Sequence, residues 1–256
     1  MKLLPSPVVG TLWLLVAWCL FLDVPSAVAT AQEQSPSYLT SIYQVSPSNG
    51  RRFLIGTGAI VHSSDRALIV LGSEEIDFWE GDRVSLANQE EEATLRFVFG
   101  ESDEGQFGPP LLVLTPLRNP SSVRPIDINV DRISPGDKLA VVGFERGSGE
   151  ARQHGVSTLA PRDCAALPHV QSSSFLFDQN ANICVDNADS KSVGSAFDGD
   201  ASGGPFLVRR GKNGRDYLVG LTPTDAPDGV FESMAKHAGW VKYVLGQILN
   251  PPEGAY

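Results

Sequence analysis

The feature that most constrains this chain is the recurrence of short apolar, β-branched runs separated by turn residues. Such runs lie at Phe53–Val61, Ala67–Leu71, Leu95–Phe99, Leu111–Leu114, Leu139–Gly143, Phe206–Val208 and Tyr217–Leu221, with Gly, Pro, Asn and Asp between them. Many short strands with this punctuation predict a sandwich or a barrel, and no βαβ alternation or internal repeat competes with that reading. One segment changes period. Trp240, Val241, Val244, Leu245 and Ile248 fall on one face of a helix, which Asn250-Pro251-Pro252 stops. The polar, proline-bearing stretch Pro120–Pro135 divides the β-rich part into two halves.

The chain has 256 residues, enough for one large domain or two small ones, and 42% hydrophobic residues supply a real core. The formal net charge of −10 makes nucleic acid an unexpected partner, because phosphate binding needs a basic face. At the N-terminus, Lys2 precedes an apolar run from about Val8 to Leu22. Small residues follow, Ala27-Val28-Ala29 and Ala29-Thr30-Ala31, and fit cleavage of a secretory signal after Ala29 or Ala31. The alternative is a membrane anchor, but the run is short against the roughly 20 residues that a bilayer span needs. Cys19 would leave with the signal. Cys164 and Cys184 remain, and an even count in an oxidising compartment favours one disulfide over two thiols. The four histidines, His62, His154, His169 and His237, are scattered without metal-ligand spacing, and no loop carries the lysine of a phosphate cradle. No metal and no cofactor is expected.

The sharpest local string is Gly199-Asp200-Ala201-Ser202-Gly203-Gly204-Pro205. It resembles the G-D-S-G-G-P nucleophile loop of the trypsin-like serine proteases, with one extra residue. Other stretches match that family in the same order. Val123-Arg124-Pro125-Ile126 is similar to its inter-barrel segment, Gly136–Phe144 to its G-x-x-x-x-V-x-G-W strand, and Tyr217–Leu221 to the strand after the nucleophile. Gly229-Val230-Phe231 resembles its G-V-Y, and Trp240-Val241 its closing helix. Cys164 and Cys184 fall where the family has a disulfide. The resemblance implies an all-β fold of two orthogonally packed six-stranded barrels with a C-terminal helix. A signal would occupy 1–29 and a peptidase-like domain 33–249, with barrel one at about 33–120, barrel two at about 133–235 and the helix at about 236–250.

The catalytic pattern departs from the family. The base belongs in T-A-A-H-C after a V-L strand, and the matching stretch Ala67–Ser73 puts Gly72 in the histidine slot. Glycine cannot accept a proton, so a serine would have no activating partner. The carboxylate belongs in D-I-A-L-L, where this chain has Pro109-Pro110-Leu111-Leu112, with Pro110 or Pro109 in place of the acid. His62, beside Ser63, Ser64 and Asp65, reads as a turn histidine, and Asp103 as a loop carboxylate. In the nucleophile-like loop, aligning the end makes Ser202 the nucleophile and puts Asp200 at an oxyanion-hole glycine. Aligning the start keeps Asp200 but replaces the serine with Ala201. Either register therefore damages the loop formed by Gly199, Asp200, Ala201 and Gly203 beside Ser202, by putting Asp200 at the oxyanion-hole glycine or by removing the serine. A carboxylate there would repel the developing oxyanion. Between Thr30 and Gly50 there is no Lys or Arg to mark an activation cleavage, and the pocket base, Ser195 or Ala196, carries no acid.

The expectation is a secreted, extracellular protease homologue without activity, with Ser202 a remnant nucleophile. It would act by binding a protein, for instance a secreted enzyme or a host protein, as inhibitor, decoy or cofactor. The alternative is an active serine endopeptidase that uses Ser202 and a displaced base, with His62 the first candidate.

Overall fold

The structure is a computed structural model that describes residues 36–72, 82–86, 92–101, 107–116, 118, 123–129, 131–144, 150–173, 175–186, 204–223 and 227–250, with backbone alone at 97–101 and 107–110. The first half holds β1 (Leu39–Val45), β2 (Arg52–Ser63), β3 (Leu68–Gly72), β4 (Arg83–Leu86), β5 (Glu92–Glu101) and β6 (Phe107–Leu114). They close into an antiparallel barrel in the order β1-β2-β3-β6-β5-β4. After the two-residue β7 (Asp127–Ile128) come β8 (Lys138–Phe144), β9 (Ala151–Thr158), β10 (Asn182–Asp186), β11 (Phe206–Arg210), β12 (Asp216–Leu221) and β13 (Val230–Ser233). Their order is β11-β8-β9-β10-β13-β12, and pairing of β11 with β12 closes this second ring of six. Two short helices, α1 (Pro161–Ala165) and α2 (Pro168–Gln171), sit between β9 and β10, and α3 (Met234–Leu249) follows β13.

Side-chain alternation explains why several strands read as continuous apolar runs. In β3, Leu68 and Val70 join Ile42, Ile60, Val84, Leu95, Leu112 and Leu114 in the cluster that fills barrel one. The alternate residues Ile69 and Leu71 join a different cluster, which also takes Val142, Phe206 and Leu218 from barrel two. A strand between a barrel interior and the barrel–barrel contact is buried on both faces, so period-2 polarity disappears. The same division holds in β8, where Leu139 and Val141 fill barrel two and Ala140 and Val142 face the contact.

The proline-bearing crossing is more than a spacer. Val123 packs into barrel one, and Ile126 joins the shared cluster while its N–H donates to Ile60 O at 2.9 Å. Beyond it, β7 pairs in parallel with β12. Helix α3 buries Met234, Val241 and Val244 in the shared cluster, with Trp240, Leu245 and Ile248 against it, the face that the spacing predicts. Ser233 Oγ accepts from Ala235 N–H at 3.3 Å and caps the helix, which starts at Met234. No helix among the described residues is long and apolar enough to cross a membrane.

Candidate functional site

The β3–β6 register brings the two altered triad slots together. The paired residues run from Leu68↔Leu114 to Leu71↔Leu111. Continued by one residue, that register sets Gly72 opposite Pro110. Gly72 is buried at the end of β3 and is paired on its other side with Gly58. Neither Gly72 nor Pro110 offers a group that can take or hold a proton. Pro109 and Pro110 have a backbone reason to sit here. The β5–β6 register breaks between Phe99 and Glu101, which face Leu111 and Phe107, and a residue without an N–H is tolerated where a ladder is interrupted.

His62 stands at the wrong end of the hairpin for a displaced base at this slot. It lies on β2 opposite Ile69, next to the turn that closes Ser64 N–H on Ala67 O, whereas Gly72 is three residues further along β3. At about 3.3 Å per residue that is about 10 Å along the strand. The imidazole is half-buried, and burial pushes its pKa below the ordinary value. Its Nε2 lies 3.1 Å from Ser64 Oγ, a local contact within the turn. His62 is thus a strand-end residue and not a freely solvated turn histidine. His154 and His169 are exposed on β9 and α2, and His237 is buried at the start of α3.

Ser73, Asp103, Ser195 and Ala196 lie outside the described residues, as do Gly199, Asp200, Ala201, Ser202 and Gly203 and the signal segment 1–29. The end of the nucleophile-like string is described. Gly204 and Pro205 are buried at the start of β11. A Cβ on Gly204 would fall 2.6 Å from Thr222 Oγ1, and that hydroxyl donates to Pro205 O at 2.6 Å. Packing against the end of β12 therefore accounts for this glycine without reference to catalysis.

Cys164 and Cys184 are bonded, with a Cα–Cα distance of 5.8 Å, and tie α1 to β10. The bridge is buried with Val170 and Val230, and Leu159, Leu167, Phe175 and Phe177 pack around it. Sequence reasoning missed a charged cluster next to this region. Glu232 contacts Lys236 through Oε1, and its Oε2 lies 2.9 Å from His237 Nε2 at an oblique angle for a hydrogen bond. Burial alone would raise the Glu232 carboxyl, but the contacts with His237 and Lys236 outweigh it and hold the pKa at about 2. The i,i+4 spacing of Glu232 and Lys236 was the available signal.

Two closed six-stranded antiparallel barrels and a C-terminal helix define the chymotrypsin-like protease fold. Kallikrein-related peptidase 10 shares it with a TM-score of 0.56 and 16% identity, over 82% of this chain and 96% of that chain. Granzyme C (GrC) matches with a TM-score of 0.54 and 17% identity, over 82% of this chain and 95% of that chain. No protein-family model and no curated protein matches the chain. At these identities the likeness is one of fold.

Proposed function

We propose that this protein is a secreted, non-catalytic member of the protease fold that acts by binding another protein. One observation carries the reading: the neighbouring positions Gly72 and Pro110 hold no base and no acid. A serine without such a base would keep its hydroxyl proton, because activation requires a base within hydrogen-bond reach. Removing triad members leaves only residual catalysis from binding and the oxyanion hole. The extra residue in Gly199–Pro205 and the carboxylate of Asp200 argue against the second of these as well. The buried Cys164–Cys184 bridge and the N-terminal apolar run support secretion.

Labelling with a fluorophosphonate, alongside peptide and ester hydrolysis, tests the proposal. No labelling and no turnover above that of a Ser202→Ala variant is expected. Stoichiometric labelling of Ser202 overturns the proposal in favour of a serine endopeptidase. N-terminal sequencing of protein recovered from culture medium tests secretion, and a start at Thr30 or Gln32 is expected.

A further inference from the structure

The chain carries a net charge of −10, yet its cations are not spread evenly. Arg209, Arg210, Lys212 and Arg215 all lie on the β11–β12 hairpin, whose tip is Gly211–Arg215. The β8–β11 register, continued two residues past Val208↔Ala140, adds Lys138 opposite Arg210. Among the described residues, three carboxylates stand near these five cations. Asp137 holds Arg209 at 2.6 Å, Asp216 holds Arg210 at 3.0 Å, and Asp127 flanks Tyr217 on β7. Over the described residues the local sum stays positive on an acidic molecule. Lys212 and Arg215 are exposed, and neither has an ion-pair partner among the described residues.

The tip is built rigidly. Gly211 N–H donates to Arg215 O at 2.7 Å, and Gly214 N–H donates to Gly211 O at 3.0 Å. Gly214 has φ +75°, which a glycine adopts without strain. Asn213 accepts from Arg215 N–H at 3.0 Å and donates through Nδ2 to Tyr217 Oη at 2.9 Å. The Tyr217 ring lies across Gly211, where a Cβ would meet it. Holding the backbone in advance lowers the entropy lost when a partner binds.

We propose that this hairpin tip docks an acidic segment of a partner protein, with Lys212 and Arg215 pairing its carboxylates. A short acidic segment suits the surface better than a long polyanion. Charges beyond a Debye length of about 8 Å are screened at physiological salt, so a short ligand feels mainly the hairpin. A long polyanion would run on over a surface whose overall sign repels it. Arg215 also presents the planar fork that matches a carboxylate with two parallel hydrogen bonds. This surface stands apart from the question of hydrolysis.

The test is fluorescence anisotropy of a labelled oligoglutamate peptide with the full-length secreted protein at physiological salt, about 0.15 M, where screening confines the field to the hairpin. Lys212→Glu/Arg215→Glu should weaken binding roughly tenfold or more, from two lost pairs and added repulsion. Arg162→Glu/Lys242→Glu makes the same change of net charge at exposed positions on α1 and α3, outside the hairpin tip, and should leave affinity within about twofold. Both variants alter exposed side chains, and unchanged thermal melting confirms that they fold. The proposal is overturned by no peptide binding to the unaltered protein, or by equal losses in the two variants. Tighter binding to a sulfated polysaccharide, or to vesicles containing anionic lipid, overturns it as well.

Discussion

At the residue scale, two positions separate structural from chemical roles. Glu232 has a folded pKa of about 2 against an ordinary 4.5. Between those values the unfolded chain binds more protons, so the contribution of Glu232 to stability is complete above about pH 4.5 and is lost as pH falls towards 2. Glu232→Gln should lower the melting temperature at neutral pH, and melting curves across pH should show the difference from the unaltered protein shrinking through that window. Gly204 illustrates the steric case. Gly204→Ala should destabilise by about 1–3 kcal/mol because Thr222 has little room to move while it holds Pro205 O. Combining it with Thr222→Ala should recover part of that loss in urea titrations. Packing is thus sufficient to require a glycine at this position of the protease-like string.

Among the elements, α1 and β10 depend on their crosslink. The Cys164–Cys184 bridge spans a sequence separation of 20, for which chain entropy gives about 3 kcal/mol. Cys164→Ser/Cys184→Ser should lose about that much in denaturant titration, and amide exchange should rise first around α1 and α2. How far the elements were legible in the sequence depended on burial. The seven apolar runs all fall on strands, because β2, β3, β5, β6, β8, β11 and β12 feed one or more apolar clusters. By contrast, β9 reads ARQHGVST and is largely exposed along its first five residues, so backbone pairing with β8 and not hydrophobicity defines it. β4 has four residues and β7 only two, too few to show a period. The Gly72 and Pro110 slots could be named from sequence, but their adjacency is a property of the β3–β6 register. The sequence does not show His62 on a strand because the apolar run ends at Val61, whereas pairing with β3 resumes past a bulge and continues to Ser63.

At the scale of the whole molecule, the largest apolar cluster among the described residues belongs to neither barrel. It takes Leu39, Ile69 and Leu111 from the first, Val142, Phe206 and Leu218 from the second, and Met234, Val241 and Val244 from α3. Tyr38 adds a polar clasp, its hydroxyl donating to Asp216 Oδ2 at 3.1 Å. Burial, and then the charge of Asp216, hold that phenol well above its ordinary pKa, so it remains a donor. The two halves should therefore melt in one transition by calorimetry. Val241→Asp, which sets an unpaired carboxylate in the shared cluster, should unfold both together. Separate melting of the halves would contradict this account. Because α3 covers parts of β6, β12 and β13, the order of synthesis matters. A nascent chain halted before residue 234 already contains every barrel strand, yet the faces that α3 covers remain wet and adhesive. Such an intermediate exposes aggregation-prone apolar surface until residues 234–249 dock on it.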